Sequence, residues 1–156
     1  MTDLLILPPA LGVLGMVVAI IIYMIVKTYD PGSDALKKIA DAIHEGAMVF
    51  MKREYTQLAI FALVLVVAIY FSLGPSTAIA FLAGALSSAC AGWFGMYTAT
   101  QANVRTTNAA HTDGQASALS VAFFGGSIMG LAVASLGLIG LGSVYYFFGG
   151  DPETAH

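Results

Sequence analysis

Gly92–Gly130 reads GWFGMYTATQANVRTTNAAHTDGQASALSVAFFGGSIMG: an apolar, glycine-rich run, a polar hinge around Arg105, and a second apolar, glycine-rich run. That alternation describes two packed membrane helices joined at one aqueous face. Gly84, Ser88 and Gly92 fall four residues apart with Gly95 extending the same small face, and Gly126, Gly130 and Ala134 repeat the spacing in the next run. Small residues at this interval let two backbones approach, so dispersion contacts accumulate where lipid supplies no hydrophobic drive. The two runs are therefore predicted to be neighbours packed along these faces.

Working outward, four segments are long enough to cross a hydrocarbon core of about 30 Å: approximately residues 4–26, 57–73, 78–100 and 116–148. With 58% hydrophobic and 10% charged residues, and a mean hydropathy of +0.85, the chain has too little polar surface for an ordinary soluble domain. Helices follow because each backbone group in lipid needs a partner within its own segment. The first segment reads as an uncleaved helix: Asp3 is the only charge before Lys27, and there is no basic region ahead of the apolar run. Pro8 and Pro9 then sit near its outer end, where missing amide donors cost least.

Residues 34–56 are neither loop nor span. Asp30-Pro31-Gly32 is a turn, Ser33 or Asp34 can cap a helix, and Leu36, Ile39, Ile43, Ala47 and Phe50 recur at helical spacing. Lys37, Lys38, Asp41 and Glu45 take the opposite face. This is an amphipathic helix continuous with the second span, its greasy side resting on neighbouring protein or headgroups. The fold class is thus an all-α membrane protein, four transmembrane helices plus this amphipathic helix, in a single unit over residues 1–156 without a convincing internal repeat.

All six basic residues, Lys27, Lys37, Lys38, Lys52, Arg53 and Arg105, fall between segments one and two or between three and four. The positive-inside rule places loops 27–56 and 101–115 in the cytoplasm and both chain ends outside, with Asp3 at one end and Asp151 and Glu153 at the other. A net charge of -3 without a basic run argues against nucleic acid as a partner. Cys90 is the one cysteine, so there is no intramolecular disulfide, and its apolar setting makes it a small packing residue.

Reactive constellations are missing. No span carries an acid, base or lysine at its centre, the usual mark of an ion path. His44-Glu45 is followed by Met48 where a zinc helix needs a second histidine, and His111 with Asp113 supplies two ligands at most. Both pairs read as solvated. Gly125-Gly126 lacks the lysine and hydroxyl of a phosphate loop, and Ser127 is followed by Met129 where a nucleophile elbow needs glycine. No catalytic, cofactor-binding or metal-ligating residue is assigned. What stands out is the polar hinge Asn103, Arg105 and Asn108: if the helix continues, Gln101, Arg105 and Asn108 share a face at i, i+4 and i+7. A lone arginine there either reaches up to lipid phosphates or, with Asn103, anchors this helix end to another part of a larger protein. No obvious buried carboxylate in the chain answers it.

Gly46-Ala47 through Phe50, Arg53-Glu54-Tyr55, Gly95-Met96, Ala102-Asn103-Val104-Arg105-Thr106, Ala122-Phe123, Gly125-Gly126-Ser127 and Met129-Gly130-Leu131 together span most of residues 42–135. In order and spacing this set resembles the membrane-integral pyrophosphatases that pump protons or sodium ions. The resemblance implies a larger homodimeric pump coupling hydrolysis of magnesium pyrophosphate to ion export across a cell membrane. This chain would supply its first four helices, in an outer ring around the catalytic ones. The family's aspartate-rich signature, of the type Asp-x-x-x-Asp-x-x-x-Lys-x-Glu, does not occur here. Mg2+ is therefore expected to belong to the parent pump, with none bound by these residues. Pyrophosphate would be met by later helices, and the partners would be those helices, the lipid bilayer and a second subunit. The chain is expected to be an amino-terminal portion, inactive alone. The alternative is a complete small four-helix assembly partner or adaptor.

Overall fold

Each apolar run becomes one long helix, because once a backbone enters lipid any break leaves amides and carbonyls unpaired. The computed structural model describes residues 2–148 and contains α1 (Thr2–Thr28), α2 (Asp34–Leu73), α3 (Pro75–Thr112) and α4 (Gln115–Phe148). All four are long and apolar enough to cross a membrane. Asp151 and Glu153, which the orientation argument used, lie outside the described residues.

α2 joins the amphipathic segment and the second span without interruption, as expected. Ser33 caps it, with its side chain accepting from the Leu36 amide at 3.4 Å. Its 40 residues run about 60 Å at 1.5 Å per residue, roughly twice the hydrocarbon thickness. The packed stripe differs from the expected one. Leu36, Ala40, His44, Ala47, Met51 and Tyr55 are shielded, whereas Ile39, Ile43 and Phe50 remain exposed. Small residues and hydrogen-bonding tips let this side lie close on α3, and the bulky branched side is rotated away by about one residue.

The polar hinge is also helical. α3 continues to Thr112, so the expected 101–115 loop shrinks to Asp113 and Gly114. Threonine hydroxyls here fold back on their own helix, Thr107 onto the Asn103 carbonyl and Thr112 onto that of Asn108, both at 3.0 Å. Polarity is thereby satisfied without breaking the helix. It stops where the amides of Asp113 and Gly114 both donate to the Ala109 carbonyl, at 2.9 and 3.0 Å, with Gly114 at φ +89°. That left-handed backbone is the usual glycine-dependent helix stop. At the other end Gly74 alone separates α2 from α3, whose first residue is Pro75, a position that needs no amide donor.

α4 sits between α1 and α3 and runs antiparallel to both. Its buried positions are Ala118, Val121, Gly125, Ile128, Ala132, Ser135 and Gly142, a near-heptad seam. Gly12 and Gly15 of α1 lie against Ser135, and Gly142 leaves room for the Pro9 ring. Pro8 and Pro9 are thus inside α1, not at its end, and the Pro9 ring is seated against a residue without a side chain. Ala19, Val26, Ala102 and Ile128 form the core, with Ile22, Tyr23, Phe124 and Leu131 around it; Ala109, Ala118, Val121 and Tyr29 continue it toward the α3–α4 link. α2 packs on α3 alone among the described helices.

α3 and α4 are neighbours, but not along the predicted stripes. Gly126, Gly130 and Ala134 are exposed, one residue round from the buried seam at Gly125, Ile128 and Ser135. Gly125 faces the Ala102 methyl and Gly95 faces Met129. A four-residue spacing marks a close-packing face but leaves its rotation undetermined, and here the larger apolar residues Val121 and Ile128 fix it.

Candidate functional site

The polar end of the bundle gathers the α1–α2 connection, the start of α2 and the end of α3. Asp30 turns the chain by accepting from the Gly32 amide at 2.9 Å, and the Asn108 amide group donates to the Asp30 carbonyl at 3.1 Å. Gly32, at φ +86°, lies so close to Asn108 that a Cβ would stand 2.5 Å from its Oδ1. The connection is therefore clamped onto α3 by one side chain, and only glycine permits the approach.

One turn earlier stands Arg105, 7% exposed. Its Nη1 donates to the Gln101 carbonyl at 2.6 Å and approaches Gln101 Oε1 at 3.4 Å, while the buried Nε has no partner. The guanidinium is folded against its own helix instead of reaching outward. It also forms part of the wall of two cavities. One, of about 220 Å³, lies between Pro31, Lys37, Ala40 and Asp41 on one side and Thr100, Gln101 and Val104 on the other. The second, of about 250 Å³, is bounded by Tyr29, Asp30, Asn108, Ala109, Thr112 and Asp113. Gln101, Arg105 and Asn108 do share a face, as the helical reading predicts. Asn103 lies on the exposed side, away from them.

His44 and Thr100 join α2 to α3. The histidine Nδ1 is 2.7 Å from the threonine Oγ1, whose proton is directed to the Tyr97 carbonyl at 2.9 Å, so the imidazole donates in this arrangement. The ring meets Tyr97 edge-on at 5.1 Å, and Tyr97 stacks on Trp93 at 5.3 Å. Further along, Tyr55 Oη donates to the Ala89 carbonyl at 2.7 Å, in space that Gly92 leaves open. His44 is thus an interhelical contact and not a solvated residue. Its place in the Ala40, Ala47, Met51 stripe is the signal that sequence reading passed over; Asp30 and Tyr55 were legible only as part of a turn and of the family-like set, and Thr100 carried no signal beyond polarity.

The predicted packing residues on α3 divide. Gly95 is buried and Gly92 receives Tyr55, whereas Gly84 and Ser88 line an open groove of about 590 Å³ between α3 and α4, opposite Gly137 and Leu141. Among the described residues no three of His, Cys, Asp and Glu converge on a point that suits a metal ion. Magnesium held by clustered carboxylates does not fit this set of residues.

The model of the family described as inorganic H+ pyrophosphatase matches residues 13–156. A K(+)-insensitive pyrophosphate-energized proton pump of Methanosarcina mazei is 41% identical over 143 residues, covering 90% of this chain and 21% of the relative. A proton pump of the same description from Moorella thermoacetica is 43% identical over 145 residues, covering 91% and 21%. A K(+)-stimulated pyrophosphate-energized sodium pump of Thermotoga maritima is 44% identical over 121 residues, covering 76% and 16%. The chain spans about a fifth of the length of the first two of these relatives.

Proposed function

This chain belongs to the inorganic H+ pyrophosphatase family, and from that membership we propose that it forms the amino-terminal, outer-ring helices of an ion pump driven by pyrophosphate hydrolysis. It is a multi-pass membrane protein with the ion-transport relatives named above. The observation that carries the proposal is a contrast: a family match along nearly the whole chain, on four helices whose described residues hold no convergent carboxylates. Such helices support and seal a catalytic centre contributed by further helices of the same pump. Magnesium pyrophosphate is met there, so no hydrolytic step is assigned to residues of this chain. Proton export is the preferred reading, with sodium as the other ion, and a second subunit completes the pump.

In this reading the polar end faces the cytoplasm, because every basic residue falls between the first and second or the third and fourth apolar segments. Asp113→Cys in a Cys90→Ser background should react with a membrane-impermeant thiol reagent from the cytoplasmic side; reaction from the outer side alone overturns the orientation.

Activity is tested by comparing membranes that contain residues 1–156 with membranes that contain the product of the gene read beyond His156. Magnesium-dependent pyrophosphate hydrolysis and ion uptake into vesicles should accompany the longer product and be at background for the shorter. Hydrolysis by residues 1–156 alone overturns the assignment of chemistry to later helices. A stop codon directly after His156, with native expression of the short chain, overturns the pump reading in favour of an adaptor.

A further inference from the structure

The first half of α2 has three faces, about a third of a turn apart. Leu36, Ala40, His44, Ala47 and Met51 are shielded by α3, and Lys38, Asp41, Glu45 and Lys52 form an exposed polar face. The third face carries Ile39, Ile43, Gly46 and Phe50, at intervals of four, three and four residues. Ile39, Ile43 and Phe50 are 60%, 52% and 54% exposed, and a Cβ on Gly46 would meet nothing within 4 Å. Among the described helices α2 packs on α3 alone, so this apolar face has no cover.

Depth decides what can cover it. Lys52, Arg53 and Glu54 mark where α2 leaves its apolar span. At 1.5 Å per residue, Ile43 and Ile39 lie about 13 and 20 Å beyond Lys52, whereas the headgroup layer is only about 5–8 Å deep. α2 does not bend over to rest on that layer: it is uninterrupted from Asp34, and His44 is held to Thr100 of α3 at 2.7 Å. Two branched aliphatic side chains therefore stand in water, where burial would stabilise them. Lipid does not reach Ile39 or Ile43, so the cover has to be protein.

The spacing specifies the kind of protein surface. Intervals of four and three residues are those of a seam whose side chains enter the holes of a facing helix. Such a contact, about 17 Å long and 10 Å wide, covers on the order of 200 Å², well short of the roughly 800 Å² per partner in a stable complex of separate chains. A helix tethered in the same polypeptide needs far less, because its local concentration is already high. The part of the relatives outside the match is large enough to supply one, since this chain covers 21% of each of two of them.

We propose that Ile39, Ile43, Gly46 and Phe50 are the docking seam for a further helix of the same polypeptide, one that continues past the bilayer surface alongside α2. The proposal rests on the pump reading above, which supplies the further helices. α2 is then a strut, held by α3 on one side and by the incoming helix on another, with its polar face left to water.

The test uses the longer product, read beyond His156, in its own membranes. With the photoreactive p-benzoylphenylalanine in place of Ile39, irradiation should join position 39 to a peptide from beyond His156 without changing the number of chains per product; the same side chain in place of Lys38 should give no such peptide. In a cysteine-free background, Ile43→Cys should react with a hydrophilic maleimide at least tenfold more slowly than Glu45→Cys. A crosslinked dimer overturns the occupant in favour of a second copy, and a lipid adduct at position 39 overturns the depth argument. Equal maleimide rates at 43 and 45 overturn the seam. Pyrophosphate hydrolysis by the same membranes separates the two readings: hydrolysis with an uncovered seam overturns the docking alone, whereas the expected crosslink without hydrolysis overturns the pump reading and upholds the seam.

Discussion

The two halves of α3 are composed of similar small and polar residues and meet different surroundings. From Gly95 to Ala109 the helix is embedded: Gly95, Thr98, Thr100, Ala102, Arg105, Asn108 and Ala109 are buried. From Pro75 to Gly92 it is less enclosed, with Ala78 and Ala91 buried, many of the others half-buried, and Gly84 and Ser88 lining the groove toward α4. The same spacing of small residues is therefore a completed contact in one half and an open one in the other. What differs is the neighbour, since α1 and α4 converge on the second half and α2 crosses it with His44.

The strongest way to test this contrast is to enlarge one residue in each half. Ala102→Leu should cost about 3 kcal/mol, measured by unfolding in mixed micelles, because three added carbons have no space beside Gly125. Gly84→Leu in the same chain should cost far less, since nothing lies within 4 Å of a Cβ there. Equal losses would erase the distinction between the halves.

Gly32→Ala should rank next, at about 2 kcal/mol, because it combines a positive φ with a Cβ driven into Asn108. Asn108→Ala made together with it should recover part of the loss by removing the obstructing carbonyl. A full additive loss would sever the link between the turn and α3.

A smaller effect is expected where α2 meets α3. In a double-mutant cycle, His44→Ala and Thr100→Val should couple by about 1 kcal/mol, the usual worth of one hydrogen bond. Zero coupling would mean that the aromatic contact to Tyr97, and not the hydrogen bond, fixes the pairing.

The smallest effect is the most discriminating. Gly84→Ala should leave the chain unchanged or stabilise it by up to about 1 kcal/mol through helix propensity. The same change in a protein extended beyond His156 should be destabilising if a further helix fills the groove.

Much of the architecture was legible because hydropathy and length decide it. The four spans, the fusion of the amphipathic segment with the second span, and the adjacency of α3 and α4 all follow from periodicity and from the demand that lipid places on backbone hydrogen bonds. Rotation of the helices was less accessible. Gly126, Gly130 and Ala134 and the true seam through Gly125, Ile128 and Ser135 are about 100° apart on one helix, and small residues occur on both. The hinge was misjudged for a related reason: threonine and asparagine lower helix propensity, but their side chains find carbonyls on the preceding turn. Arg105 was recognised as unusual, yet its burial depends on how α1 and α2 fold over α3, which no local spacing encodes.

Gly74, the single residue between α2 and α3, also bears on biogenesis. In the orientation proposed above, a hairpin whose tip is Gly74-Pro75-Ser76 presents no charge and almost no hydrated loop to the far side of the bilayer. Moving that tip across the membrane requires little desolvation of polar groups, so both helices can enter together as a preformed pair. A lysine inserted beside Ser76 would convert this nearly free passage into a barrier, seen as a larger fraction of chains whose second and third spans fail to insert.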